Sequence, residues 1–156
     1  MAPESGKTYK IRNLQVPEKV VDLSGADQRS VIGWNDKGGG QEAHNQAWRL
    51  FRQNSGNWTI ESLKAPGTFI GIASGPGDGV HLIGQGVPLE WQIIPNREAF
   101  AGEGFDSERE ANAFRLLIPG MYFNADLADH GNAHTIQLWG KWRGQNQAWT
   151  FEEFRG

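Results

Sequence analysis

Three side chains in the first third of the chain have the types and spacing to bind a hydroxylated ligand. Asp22 sits in the run Val20-Val21-Asp22-Leu23-Ser24-Gly25, Trp34 follows twelve residues later, and Asn45 opens the tetrapeptide Asn-Gln-Ala-Trp at 45–48. A carboxylate on a short strand among apolar neighbours needs partners, because an unpaired buried charge is expensive. Turn amides are one such set of partners and ligand hydroxyls are another. A pyranose presents vicinal hydroxyls that suit a carboxylate and an amide, and a C–H face that suits an aromatic ring. Asp22, Asn45 and Trp34 supply all three, and the backbone N–H of Gly25 adds a donor. Such a site is shallow, with a Kd for a monosaccharide on the order of millimolar, or roughly −4 kcal/mol.

The elements that must position these groups are announced by repetition. Asn-Gln-Ala-Trp recurs at 146–149, and a third stretch ends in Leu89-Glu90-Trp91, so the chain reads as three related copies. Self-similarity at a period of tens of residues determines the architecture. The intervals are 43 residues from Trp48 to Trp91 and 58 from Trp91 to Trp149, so the last copy carries an insertion. The charged, Gly-containing, non-periodic segment 97–109 is the place for it, and loops of that length are more often functional or mobile than structural.

Within each copy four short runs alternate apolar and polar residues: 9–13, 20–24, 30–34 and 47–52, then 58–63, 69–73, 81–85 and 89–94, then 113–118, 121–126, 134–139 and 148–154. Runs rich in Val, Ile, Thr and aromatics between Gly, Pro, Asn and Asp are strands. Asn54-Ser55-Gly56-Asn57 reads as a hairpin turn, and 74–79 and Pro119-Gly120 also break the chain. No sustained helical periodicity occurs. Three copies of four strands make one all-β domain over 1–156, a β-trefoil of six barrel strands and a hairpin cap, with repeats at about 8–53, 57–95 and 112–155. An irregular sandwich is the other all-β option. Trp48, Trp91 and Trp149 hold equivalent positions and read as core, as does Trp58. Trp34 and Trp139 end the third strand of their copies and run into polar loops, where an exposed ring can stack; Trp142, in a loop, is open to either reading.

Composition excludes several classes. With 156 residues the chain can bury a real core, and 21 Gly with 7 Pro suit a turn-rich β protein. A formal net charge of −3 with scattered Lys and Arg argues against nucleic acid. No run of about 18 apolar residues could cross a membrane. The first residues lack the apolar stretch of a secretory signal and the chain has no Cys, so the cytoplasm is the expected location.

The segments Tyr9-Lys10-Ile11-Arg12-Asn13, Val21-Asp22-Leu23-Ser24-Gly25, Val31-Ile32-Gly33-Trp34 and Asn45-Gln46-Ala47-Trp48 together resemble the first repeat of the mushroom ricin-B-like lectins. The repeat pattern covers nearly the whole chain, and the nearest motif match lies within 9–50. The resemblance implies a β-trefoil that recognises galactose, N-acetylgalactosamine or glycans containing them, without catalysis or cofactor, in a defensive role. It places the acidic position on Asp22, the stacking position on Trp34, the amide position on Asn45 and the amide-bearing turn on Gly25. The loop 35–44 forms the rim, with Asn35, Lys37 and His44 as secondary contacts. The second copy has Gly71, Gln85 and Pro88 at the three positions and should not bind. In the third, Asn124 is aligned with Asp22, with Trp139 and Asn146 retained and a loop of six residues where the first copy has ten, which makes a weaker second site. One strong site per chain implies that cross-linking needs a homodimer.

A β-trefoil protease inhibitor is the rival reading, with 97–109 or 74–79 as the reactive loop; the joint presence of Asp22, Trp34 and Asn45 favours the lectin. Enzyme readings are poorer. His130 and His134 have metal-like spacing without the helical Glu of a zinc motif, and Gly6-Lys7-Thr8 lacks the strand and glycine of a phosphate loop. Adjacent Glu152 and Glu153 point to opposite faces of a strand, while Asp126 and Asp129 remain a nominal carboxylate pair. Asn57-Trp58-Thr59 fits a glycosylation acceptor that stays bare in a chain that is not secreted.

Overall fold

A computed structural model describes residues 1–128 and 134–156. The expected strands all form. The first repeat holds β1 (Thr8–Asn13), β2 (Lys19–Leu23), β3 (Val31–Asn35) and β4 (Trp48–Arg52); the second holds β5 (Trp58–Ser62), β6 (Phe69–Ile72), β7 (Leu82–Gln85) and β8 (Gln92–Pro95); the third holds β9 (Phe114–Leu117), β10 (Phe123–Leu127), β11 (Ile136–Gly140) and β12 (Trp149–Glu153).

The first and last strands of each repeat close on themselves. β1 pairs with β4, β4 with β5, β8 with β9, β9 with β12 and β12 with β1, all antiparallel, and the Trp58–Trp91 bridge joins the remaining pair. A six-stranded ring results, which leaves no edge for another chain to extend. The middle strands form three hairpins, β2–β3, β6–β7 and β10–β11, knitted together by bridges Ser30–Ile83, Ile32–Thr135 and His81–Gln137. This is a β-trefoil.

The alternation that marked the strands also fills the barrel. Tyr9, Ile11, Leu50, Ile60, Leu116 and Phe151 point inward from the ring and meet Trp48, Trp91 and Trp149, all fully buried. Each of the three indoles spends its N–H on the cap: Trp48 Nε1 donates to Val21 O (2.9 Å), Trp91 Nε1 to Ile70 O (3.0 Å) and Trp149 Nε1 to Ala125 O (3.1 Å). Truncating any one to Ala would cost about 3–5 kcal/mol in lost burial and cavity together. These bonds also index the repeats. The residue after each indole's acceptor is Asp22 in the first, Gly71 in the second and Asp126 in the third.

The turn at 54–57 forms as expected: Gly56 takes φ 90°, open to a residue without Cβ, and Arg52 pairs with Trp58 across it. The insertion in the third repeat is more ordered than a plain loop. Short helices α1 (Asn96–Ala99) and α2 (Glu108–Asn112) form, the second capped by Ser107 Oγ, which accepts from Glu110 N at 3.0 Å.

Candidate functional site

The first-repeat site is built on the β2–β3 hairpin of the cap. β2 is buried on both faces from Val20 to Leu23, which leaves Asp22 only 2% exposed beside the 3₁₀ helix Gln41–Gln46 that carries the tetrapeptide. Each carboxylate oxygen is held by one amide: Gln46 Nε2 donates to Oδ2 at 2.9 Å, and Asn45 Nδ2 donates to Oδ1 at 3.1 Å. Gln46 also donates to Asn35 O (2.9 Å) and accepts from Lys37 N (2.9 Å), so one side chain locks both the carboxylate and the loop after β3. Asn45 Nδ2 makes a second bond to Leu23 O at 3.4 Å, and Lys37 Nζ reaches Asn45 Oδ1 at 3.5 Å. Burial raises the Asp22 carboxyl above its ordinary 3.8, opposed by the Gln46 bond, the Lys37 charge and the Asn45 bond.

Across from Asp22, Trp34 leaves 41% of its surface open. Its other side is backed by His134 of the third repeat, ring centroids 4.5 Å apart and tilted by 47°, and Lys19 Nζ lies 2.9 Å from His134 Nδ1. The stacking ring is therefore braced by a residue remote in sequence. Between the two walls lies a cavity of about 290 Å³ lined by Asp22, Gly25, Trp34, Lys37 and Asn45, with Ser24, Ala26 and Ile32. A fixed acceptor, an open ring and a backbone turn face one space.

Two expected rim contacts lie elsewhere. The 3₁₀ helix turns His44 toward the C-terminus, where its ring meets Phe154 (5.8 Å, 74°) and its Nε2 approaches Gly156 O at 3.5 Å. Asn35 contributes its carbonyl to Gln46, but its side chain does not line the cavity. Lys37, by contrast, does.

The third repeat requires a correction. Met121 and Tyr122 belong to the turn before β10, so the strand begins at Phe123 and Asn124 pairs with Trp139, as Val20 pairs with Trp34. Asn124 is fully buried, accepting from Arg115 Nη1 (3.1 Å) and donating to Trp139 O (3.1 Å). The counterpart of Asp22 is Asp126, 5% exposed, whose Oδ2 accepts from Gln147 Nε2 at the same 2.9 Å. The sequence held the signal. Asp126 lies thirteen residues before Trp139, against twelve from Asp22 to Trp34 and fifteen from Asn124, and Ala125-Asp126-Leu127 echoes Val21-Asp22-Leu23. Trp139 is 43% exposed, and Asn146 Nδ2 donates to Leu127 O at 3.1 Å, as Asn45 does to Leu23 O. Asp126 is thereby taken up by Gln147; Asp129, its nominal carboxylate partner, and His130 lie outside the described residues.

In the second repeat Gln85 packs over Gly71. A Cβ on Gly71 would fall 2.0 Å from Gln85 Cδ, so the Gln85 side chain occupies the space that a carboxylate needs. Gln85 in turn donates to Val87 O at 2.7 Å. Among the described residues no group of three His, Cys, Asp or Glu is placed to hold a metal, and no helix is long and apolar enough to cross a membrane.

The inhibitor-like loops are tied down. Arg143 pairs with Glu103 (2.9 Å) and covers Phe105 (4.5 Å), Arg115 and Lys141 cover Phe100 (4.8 and 5.0 Å), and Asn96 Nδ2 donates to Glu110 O (2.7 Å). In the 74–79 segment Asp78 Oδ1 accepts from Gly140 N at 2.8 Å.

A trefoil that holds a carboxylate between two amides opposite an open indole defines the class: a carbohydrate-binding β-trefoil lectin. The chain is similar over 98% of its length, and 99% of the other, to the Macrolepiota procera ricin B-like lectin solved in complex with lactose, with 32% identity and a TM-score of 0.79. It belongs to the ricin B-like lectins. The Rhizoctonia solani agglutinin is similar at 24% identity and TM-score 0.74, covering 97% of this chain and 99% of its own. The designed threefold-symmetric protein ThreeFoil shares the fold at 18% identity and TM-score 0.73, covering 94% and 99%. No family model and no curated protein matches the sequence.

Proposed function

We propose that the protein is a non-catalytic lectin for terminal galactose or N-acetylgalactosamine, binding first through the Asp22 cavity and second through Asp126. The observation that carries the reading is the double-amide clamp on Asp22 facing Trp34 across an open cavity. Each Asp22 oxygen retains a lone pair after its amide bond, so two vicinal hydroxyls can donate to one oriented carboxylate. Asn45 spends its N–H groups on Asp22 and Leu23 and offers Oδ1 to a third hydroxyl, with Lys37 Nζ alongside as donor. The exposed Trp34 face takes the C–H patch of the sugar. Nothing in this arrangement needs a nucleophile or a metal.

Two sugar sites on one rigid trefoil change the valency. A chain with binding clamps at Asp22 and Asp126 can cross-link glycans without dimerising, and paired sites at fixed spacing can raise apparent affinity by on the order of a hundredfold. The galactose type is supported by the lactose held in the Macrolepiota lectin and by the N-acetylgalactosamine held in the similar earthworm R-type lectin C-half, which shares 17% identity and the fold. A glycan array tests the reading. Selective retention of terminal galactose and N-acetylgalactosamine glycans, abolished in the Asp22→Ala/Asp126→Ala double variant, is the expected result. An array on which the folded double variant still binds like wild type would sink it.

A further inference from the structure

The Asp22 cavity does not end at Asn45. A second cavity of about 200 Å³ continues from it across a shared wall of Ser24, Gly25, Lys37 and Asn45. Its far side is made by Gln28, Gln41, Glu42 and Lys64, the last contributed by the second repeat. None of these four side chains makes a hydrogen bond or ion pair among the described residues, although together they carry amide, carboxylate and ammonium groups. Exposed polar groups are ordinary on a surface; four of them converging on one cavity that opens from the sugar site are not. Gln28 adds an independent mark. Among the described residues it is the non-glycine one held at positive φ (54°), a conformation L side chains adopt at a cost, and it sits at the cavity rim with its N–H on Ser24 O (2.7 Å).

Resting on the reading of the Asp22 cavity as the sugar site, we infer that this second cavity is a subsite for the next saccharide of the chain, and that it takes a neutral hydroxylated ring. Sugar hydroxyls each donate and accept, so they match a wall that mixes Gln28 and Gln41 amides with the Glu42 acceptor and the Lys64 donor. Glu42 stands among the lysines and offsets them, which disfavours a sulfate or carboxylate on that ring. The two repeats thus share one ligand: the first holds the terminal sugar, and Lys64 of the otherwise closed second repeat reads the sugar behind it.

Calorimetric titration with galactose and with lactose, on wild type and on Glu42→Ala/Lys64→Ala, tests this. Neither substituted residue lines the Asp22 cavity, and both are exposed, so the variant folds as wild type by near-ultraviolet circular dichroism. Wild type should bind lactose about tenfold more tightly than galactose, roughly the gain of one or two added hydrogen bonds. In the variant that advantage should shrink to within about twofold while galactose affinity stays unchanged. Equal affinities in wild type, or an advantage that survives the double substitution, would overturn the subsite and leave the Asp22 site standing. Failure to bind either sugar would overturn both. A sulfated lactose bound much more tightly than lactose would overturn the neutral assignment.

Discussion

The first and third repeats place the same four groups on the same backbone positions but support them in opposite ways. In both, a tetrapeptide glutamine donates to the aspartate at 2.9 Å and takes a backbone N–H from the loop, Lys37 N in one and Trp142 N in the other. In the first, the loop is pinned from the surface: Asp36 receives Lys10 Nζ and Arg12 Nη2, each at 2.7 Å, and Arg12 also pairs with Glu152. In the third, the loop is pinned from inside. Arg115, 1% exposed, donates to Gln147 Oε1 (2.9 Å), Trp142 O (2.6 Å), Asn124 Oδ1 (3.1 Å) and Asn96 Oδ1 (2.6 Å). The clamp is conserved as geometry, while its scaffold is free to vary. The aspartates differ accordingly. Asp22 is tied to the tetrapeptide's asparagine, while the second bond of Asp126 is a 3.4 Å contact from Gln137, so the third carboxylate is held less firmly toward the ligand.

That difference predicts unequal sites, and single substitutions separate them. Asp22→Ala should lower affinity at the first site by about a hundredfold, the loss of two charge-assisted hydrogen bonds, and leave Trp139 responsive to sugar. Asp126→Ala should do the reverse at the weaker site. Indole N–H signals of Trp34 and Trp139 followed by NMR during a galactose titration report each site separately. If Asp22→Ala silenced both indoles, the two repeats would be one site and the comparison would fail.

The supports themselves give the next largest effect. Arg115→Met removes a donor from three buried acceptors, on Asn96, Asn124 and Gln147, and from the half-buried carbonyls of Trp142 and Gly144, and should cost about 3 kcal/mol or more of stability. Burial brings the Arg115 guanidinium down to about 10, with Arg143 adding to the drop, so it stays charged at neutral pH and its loss removes charged bonds. Arg12→Met, near the surface, should cost only about 1 kcal/mol. Urea midpoints of the two variants measure the contrast, and equal losses would show that the inner and outer supports are equivalent.

What could be read from sequence follows the range of the interactions. The barrel was legible because each copy repeats its alternation and ends in a tryptophan, and the first site because Asp22, Trp34 and Asn45 share one local motif. The third site was misread by two residues because Met121 and Tyr122 are apolar and prolong the apparent strand, although they form a turn. His44 was misassigned because a 3₁₀ helix, invisible to period counting, rotates it toward Phe154. The brace of His134 on Trp34, the cavity that Lys64 and Gln28 line together and the five bonds of Arg115 join distant segments. No spacing rule within a copy encodes them.

The smallest expected effect is a pH separation between binding and folding. Burial raises Asp22 above 3.8 in the folded protein, so the fold favours its protonated form: any stability it lends is present below 3.8 and lost as pH rises through the raised value. Sugar hydroxyls need the ionised form as acceptor, so first-site affinity should be full well above that value and begin to fall while the pH is still above 3.8. Asp36 behaves oppositely. Desolvation works against its charge, but bonds from Lys10 and Arg12 hold it down at about 2, so its contribution to stability is present above 3.8 and lost only as pH falls toward 2. Acid should therefore release the sugar from the first repeat before it loosens the loop that frames the site. Galactose affinity measured from the Trp34 indole N–H signal against pH, beside circular dichroism of the same samples, checks the order. Affinity that held at 3.8 would mean that Asp22 does not meet the sugar as a desolvated carboxylate.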